Sequence, residues 1–384
     1  MSAARIAIAG AGPVGLALAC ACRDAEIVVV DPTAPRATPL PEDYDLRVFA
    51  LSAGTRTFLR DIGAWDFLDV RRVAAVRRME VYGDADAKLS FGAPAAGALA
   101  WIVEAGRLSA ALAEQAAALP NVSAMYGSDA ASFEASAEGA RMVLTDGTAI
   151  AADLLVGADG PDSRVRAAFG LPTAELAYSE DGVVANFETE REHGAIARQW
   201  FRSDGVLAWL PLPGRRISIV WSTPASHAQE LATLDPGDFA ARVQAAGADA
   251  LGGLRLASKV ARFPLRMIQV ERTVAPGVAL VGDAAHSVHP LAGQGVNLGF
   301  QDARVLADVL AGRSPLERPG DLRLLRRYAR ARREDVTAMQ FVTDQLDRLF
   351  ASESPGASWL RNTGLALVDS QPWAKRALAG RAMR

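Results

Sequence analysis

The pattern of apolar and polar positions opens with a hydrophobic run at 5–9 (RIAIA), a cluster of glycines, and an alanine- and leucine-rich stretch from 14 to 23. A second apolar run, EIVVVD at 26–31, follows at once. Strand, turn, helix and strand in this short span is the order that a parallel pair with a crossover helix requires. A proline-rich loop at 32–41 then precedes a helical pattern through LSAGTRTFLRDIGAWDFL, and RLSAALAEQAAA at 107–118 predicts a further helix. Strands are expected near 122–126, 141–145 and 152–160. From 178 to 270 the pattern becomes an alternation of apolar and polar residues with turn signals at LPG and SDG, and it contains Trp200, Trp209 and Trp221. That alternation predicts a largely antiparallel sheet forming a second layer. The first pattern returns in GVALVGDAA at 277–285, and beyond Val296 the chain reads as helical, with breaks at 315–320, 355 and 372.

The expected class is therefore α/β. A Rossmann-like βαβ domain with a parallel sheet is assembled from 1–75, 100–177 and 271–340. A mainly antiparallel β-sheet substrate domain is inserted as 76–99 and 178–270, and a helical C-terminal region occupies 341–384.

Composition narrows the partners. The chain has 384 residues, half of them hydrophobic, and a net charge of -3, which gives room for sizeable cores and no basic footprint for nucleic acid. Seven arginines lie between Arg318 and Arg333, a density expected of the solvated face of a helix. Cys20 and Cys22 are the only cysteines, and two residues apart they point to different faces of a helix. They offer neither a disulfide framework nor a zinc shell, so a reducing, cytoplasmic compartment is expected. Residues 4–21 look superficially like a signal peptide, but Gly10, Gly12, Pro13 and Gly15 interrupt the run and a strand follows, so export is not expected.

The glycine cluster is Gly10-Ala11-Gly12-Pro13-Val14-Gly15, a G-x-G-x-x-G between a predicted strand and a predicted helix, with Asp31 closing the next strand. Gly10 permits a tight turn, Gly12 lets the backbone approach a pyrophosphate, and Gly15 allows close helix–strand packing. The N–H groups at the helix start favour phosphate charge, and Asp31 suits the ribose hydroxyls of an adenosine. A dinucleotide is expected here; the motif does not separate FAD from NAD.

Two later segments do. In LLVGADGPDSRVR, Asp159-Gly160 ends an apolar strand and Ser163 and Arg166 follow; this resembles the D-G-x-x-S-x-x-R motif of the flavoprotein aromatic hydroxylases. GDAAH at 282–286 resembles the second FAD motif of the same family, and HPLAGQGVNLGFQDA is similar to its ubiquinone-biosynthesis branch, the UbiH/Coq6 group. With three motifs in order across nearly the whole chain, the protein is identified as a member of these para-hydroxybenzoate-hydroxylase-like, FAD-dependent aromatic monooxygenases.

The resemblance implies FAD bound by Gly10, Gly12, Pro13, Val14, Gly15 and Asp31, with Asp159 near the pyrophosphate. It implies Asp283, after Gly282, as the ligand of the ribityl hydroxyls. Gly295, Val296 and Asn297 would lie at the pyrimidine edge of the isoalloxazine, with Pro290 and Gly293 beside it. Arg47 in DLRVFALS resembles a flavin-contacting arginine, and Ala130 aligns with a residue at the adenine. Arg107 corresponds to the arginine of a V-E-N-R stretch that reads V-E-A-G-R here, without the asparagine and with the arginine displaced by one. Substrate-pocket candidates are Trp209, Pro211 and Trp221.

The implied reaction is hydroxylation of an aromatic ring through a flavin hydroperoxide. Dioxygen is the co-substrate, electrons come from NAD(P)H or a protein donor, and the substrate is a polyprenylated phenol of ubiquinone synthesis. Other quinone-synthesis enzymes are implied partners. The basic, tryptophan-bearing stretch 355–384 suits peripheral contact with the inner face of a membrane. Two alternatives stand beside this reading: a flavin hydroxylase of a small soluble aromatic, and a non-catalytic FAD-fold subunit of a quinone-synthesis complex.

The histidines of GDAAHSVHP admit other chemistry. Asp283, His286 and His289 recur every three residues, but Pro290 and the following glycines break a helix and no further ligand completes a shell, so no metal is expected. Ser287 lacks a nucleophile elbow. His286 and His289 are left either to acid–base work or to fixing the turn by hydrogen bonds.

Overall fold

The computed structural model describes residues 4–35, 43–83, 88–93, 97–287 and 295–351. The predicted βαβ unit is the strand Ala4–Ala9, the helix Pro13–Ala21 and the strand Ala25–Asp31. Its strands lie in a six-stranded sheet in the order Val274–Ala275, Val278–Leu280, Leu154–Gly157, Ala4–Ala9, Ala25–Asp31, Val122–Tyr126. All neighbours run parallel except the first pair. Segments more than 250 residues apart thus sit close together in one sheet, and the continuous burial of Ile6-Ala7-Ile8, Ile27-Val28-Val29 and Leu154-Leu155-Val156 is what a parallel sheet covered on both faces demands. The helices Pro13–Ala21, Ala105–Ala117 and Gly295–Ala311 cover one face. A three-stranded sheet of Ala130–Ala135, Ala140–Leu144 and Ala149–Ala152 covers the other.

The helical pattern expected through 51–68 is divided. Val48–Ser52 is a strand paired antiparallel with Ala100–Glu104, and Ser52 caps the helix Ala53–Asp61 by accepting from the Thr55 N–H at 3.1 Å. Gly63, at φ 85°, stops that helix before a short 3-10 turn, Ala64–Phe67. The strand exists because a partner 50 residues downstream offers its edge, which local periodicity does not register.

The inserted layer is an eight-stranded sheet in which Arg78–Tyr82 and Lys88–Gly92 join Thr173–Thr189, Ile196–Arg202, Gly205–Leu212, Arg216–Pro224, Leu254–Leu256 and Ala261–Val270. Two helices, Ala225–Thr233 and Pro236–Ala246, interrupt what the sequence pattern presented as continuous strands. The second carries an ordinary start signal: the Asp235 carboxylate accepts from the Gly237 and Asp238 N–H groups, ahead of Pro236 at the first turn.

Those helices decide which face of the sheet is core. Side chains alternate along strands. Val183, Phe187, Leu207, Trp209, Ile219 and Trp221 pack against Leu231, Phe239 and Val243 from the helices. Trp209 is 1% exposed and Trp221 is fully buried; a Cβ on Gly247 would come 2.1 Å from the Trp209 ring. Pro211, paired with Ile217, shares that face. The substrate-pocket expectation for Trp209, Pro211 and Trp221 is therefore corrected: these residues face away from the nucleotide-binding domain. On the opposite face Ala197, Leu210 and Leu212 pack against Ala74 and Ile102 of that domain and against Val76 at its boundary.

One further expectation changes in detail. Leu322–Ala351 is one helix, and six of the seven arginines between 318 and 333 are exposed, but Arg332 is 5% exposed and points inward. Cys20 and Cys22 are free and buried, and burial pushes each thiol up to about 12. No helix among the described residues is long and apolar enough to cross a membrane. Residues 355–384 lie outside the described residues.

Trp221→Ala removes a fully buried indole. It is expected to lower unfolding stability by about 3–5 kcal/mol, read from the urea midpoint, while the folded fraction keeps its full FAD content.

Candidate cofactor site

The glycine turn is built by backbone touching backbone. Gly10 has φ 109°, and a Cβ there would lie 2.3 Å from the Ala158 carbonyl oxygen; a Cβ on Gly15 would lie 2.1 Å from the Gly10 oxygen. Neither position accepts a side chain. Gly12 is different, because a Cβ there would meet no heavy atom within 4 Å. It stands at the start of the helix Pro13–Ala21, with no side-chain cap. The turn is thus open where a pyrophosphate needs to approach, and the helix end supplies the favourable dipole. Asp31 holds the turn's rim, its carboxylate accepting from the N–H groups of Ala11 and Thr33, both at 2.7 Å.

The Asp159 turn abuts this one, since the Ala158 and Asp159 backbone is what crowds Gly10. One Asp159 oxygen accepts from the Ser163 hydroxyl at 2.6 Å, and the other from the Arg164 and Val165 N–H groups at 2.7 and 3.1 Å. The Asp159 side chain is therefore occupied in shaping its own turn. Arg166 extends from that turn to the Ala284 carbonyl at 3.0 Å, joining it to the segment that contains Asp283.

Around Asp283 the chain is arranged differently. Gly282 has φ 60°, and a Cβ there would lie 3.2 Å from a Val14 methyl; on Gly299 it would lie 2.6 Å from the same methyl. Val14 acts as packing between the two motifs. Asp283 is the inverse of Asp159: no described residue donates a hydrogen bond to its carboxylate. Burial pushes that carboxyl above its usual range, with the positive charge of Arg47 opposing. A half-buried carboxylate that accepts from no described donor is fitted to accept from polyol hydroxyls.

Arg47 is exposed and lies 5.2 Å over the Phe49 ring, just before the strand Val48–Ser52. Asn297 fastens that strand, its Oδ1 accepting from the Ser52 N–H and its Nδ2 donating to the Ala50 carbonyl, both at 2.9 Å. The Asn297 side chain thus serves the strand, while Gly295 and Val296 begin the helix Gly295–Ala311. Arg107 donates to Glu104 at 3.0 Å, alongside Arg72, which forks onto both Glu104 oxygens at 2.8 and 2.9 Å. Ala130 is buried at the start of its strand. His289, Pro290 and Gly293 lie outside the described residues.

His286 has a defined place. It is 5% exposed, and its Nε2 lies 2.7 Å from the carboxylate of Asp302, which is fully buried. Arg332 donates to the other Asp302 oxygen at 2.7 Å. The sequence motifs assign no role to Asp302 or Arg332, although Asp302 has a local signal. Asp302 is four residues from both Leu298 and Leu306, a charge on the apolar stripe of an amphipathic helix.

The open Gly12 turn and an Asp283 carboxylate that accepts from no described residue fit a flavin adenine dinucleotide. Residues 3–343 match the FAD binding domain family. The chain belongs to that family. It is similar along most of its length to hydroxylases of ubiquinone synthesis. It is 34% identical to ubiquinone hydroxylase UbiL of Rhodospirillum rubrum, over 99% of this chain and 89% of that one. It is 32% identical to 3-demethoxyubiquinol 3-hydroxylase of Escherichia coli, over 97% and 96% of the two chains. Identity to human COQ6, named a ubiquinone biosynthesis monooxygenase, is 32%, over 95% and 89%. Among solved structures, PqsL of Pseudomonas aeruginosa has the same fold, with a TM-score of 0.77, 22% identity and 94% of this chain covered, against 99% of that one. p-Nitrophenol 4-monooxygenase PnpA of Pseudomonas putida also shares it, with a TM-score of 0.75, 17% identity and 98% of each chain covered. As a member of this FAD-binding family, the chain is a FAD-dependent monooxygenase.

Because nothing lies within 4 Å of a Cβ at Gly12, Gly12→Val is expected to fold as the parent does, with an unchanged thermal midpoint of the apoprotein. Its isopropyl group occupies the pyrophosphate approach, so FAD affinity is expected to fall by at least about 100-fold in a fluorescence titration.

Proposed function

We propose that the chain hydroxylates the ring of a polyprenylated phenol on the route to ubiquinone. The observation that carries the reading is its end-to-end similarity to proteins named for that chemistry, in a chain that keeps the open Gly12 turn. Bound FAD, reduced by NAD(P)H or by a protein donor, supplies the dioxygen chemistry that puts one oxygen atom on the ring and releases the other as water.

The sheet face turned toward the nucleotide-binding domain gives that ring a wall. Directly paired residues run across it as Val81, Gln199, Ala208, Val220, Val184 and Ala261. The row is apolar except for the Gln199 amide, and the small Ala208 and partly exposed Val220 leave space above it. In the adjacent row Asn186 donates to the Tyr44 and Asp45 carbonyls, both at 3.1 Å, which sets this part of the sheet beside the segment leading to Arg47. An apolar wall keeps water from the reacting ring and positions it for oxygen transfer. The candidate cofactor residues are Gly10, Gly12, Gly15 and Asp31 for the adenosine diphosphate half. For the flavin half they are Arg47, Asp283, Gly295 and Val296.

The test is incubation of the holoenzyme with a short-chain polyprenylphenol, NADPH or NADH, and isotopically heavy dioxygen. A labelled ring hydroxyl is the expected product. Preferential turnover of small soluble phenols would refute the prenylated substrate. Val220→Trp fills the space over the row and is expected to cut turnover more than about tenfold without loss of bound FAD.

Peripheral membrane contact belongs to the same proposal, because the substrate is lipid-soluble. It is supported by Arg361, Lys375, Arg376, Arg381 and Arg384 against Asp369 within 355–384, together with Trp359 and Trp373. The full chain is expected to co-sediment with anionic liposomes and a chain ending at residue 354 to lose that binding; identical behaviour of the two refutes the contact.

A further inference from the structure

We propose that Asp302 is a positioning residue for the flavin site, holding the turn that presents Asp283 through the Gly282 N–H and the His286 ring. Asp302 has no exposure, and it lies on the second turn of the helix Gly295–Ala311. One of its oxygens accepts from the Gly282 N–H at 2.9 Å and faces His286 Nε2 at 2.7 Å. A single oxygen therefore spans both ends of the turn 282–286, with Asp283 between its two anchors. The turn departs from regular structure, passing from the strand Val278–Leu280 through Gly282 at φ 60° into a 3-10 turn, Gly282–Ala284. Such a path persists where surrounding contacts over-determine it.

The other Asp302 oxygen fixes the arrangement to the rest of the protein. It accepts from Arg332 Nε at 2.7 Å. Arg332 donates further to Gln301 Oε1 at 3.0 Å, to Asp335 at 3.2 Å and to the Leu298 carbonyl at 3.3 Å. A buried carboxylate is costly to ionise unless it is paired and hydrogen-bonded. Here burial pushes Asp302 up, and the charges and hydrogen bonds of His286 and Arg332 outweigh it, leaving the carboxyl below its usual range. The anchor is thus an ionised group with its lone pairs directed at defined donors.

One helix consequently mounts both charged groups offered to the cofactor. Asn297 holds the strand that follows Arg47, and Asp302, five residues on, holds the turn that carries Asp283. Asp302 sets the register of the second against the first. The inference rests on Asp283 being a ligand of FAD, and the experiment separates the two claims.

FAD release from holoenzyme on dilution, followed by flavin fluorescence, yields a dissociation constant for the parent, Asp302→Asn, Asp283→Asn and the double variant. Asp302→Asn alone is expected to weaken FAD about tenfold, as loss of an outer-shell partner does, and to weaken it less than about twofold further once Asp283 is Asn. Equal losses in both backgrounds, or no loss in the first, overturn the positioning role; a purely structural contribution gives the former. Unchanged affinity in Asp283→Asn overturns the ligand assignment, and the positioning role with it. Should Asp302→Asn fail to fold, Arg332→Lys enters the same cycle with the same expected non-additivity, and additive losses there overturn the proposal equally.

Discussion

Val14 occupies a space that only two glycines leave open. Its methyl groups fill the gap that a Cβ on Gly282 or Gly299 would need. The contact joins the phosphate turn at the start of the chain to a strand end and a helix nearly 300 residues later. Two motifs from opposite ends of the chain come together there because backbone meets a side chain without intervening atoms. Packed interiors do not tolerate an added methyl at such spacing without displacement. The same rule operates at Gly10 and Gly15, where backbone meets backbone. Gly12 is the exception: a Cβ there would meet no heavy atom within 4 Å, and the proposed pyrophosphate approach uses that space.

The buried charges divide along a similar line. Glu104 has both oxygens taken by Arg72 and a further bond from Arg107, and Asp302 is fully engaged by Gly282, His286 and Arg332. Such carboxylates stiffen their surroundings, since moving any partner would leave a charge unpaired in a poor dielectric. Asp283 has no described donor and is pushed toward neutrality by burial. In the proposed reading, a hydroxyl-bearing ligand relieves the electrostatic cost of that burial.

The inserted sheet has two faces with different work. One is sealed by Ala225–Thr233 and Pro236–Ala246 around Trp209 and Trp221. The other meets the nucleotide-binding domain through Ala197, Leu210 and Leu212, and through the Asn186 bonds to Tyr44 and Asp45. Tyr44 is flanked by two guanidinium groups, Arg72 at 3.8 Å and Arg216 at 5.6 Å, one from each layer. Cation–π contacts of this kind favour one relative placement of the layers. The segment that ends in Arg47 is therefore gripped by the inserted layer.

The amino-acid order alone determined the βαβ start, the three motifs and their sequence, and the alternating character of the inserted layer. These follow from local rules: glycine where φ is positive or backbone crowds, and apolar periods of two or 3.6 residues. Tertiary structure decided the rest. Strand alternation placed Trp209 and Trp221 on one face, but only the packed helices showed that face to be core rather than pocket. The helical periodicity of Gly295–Ala311 put Asp302 on an apolar stripe, yet its meaning came from Arg332, 30 residues onward, and from Gly282. Local signals report what a residue's own backbone needs; the partner of a buried charge and the cover of a sheet face are set by contacts between distant segments, which no window of sequence contains.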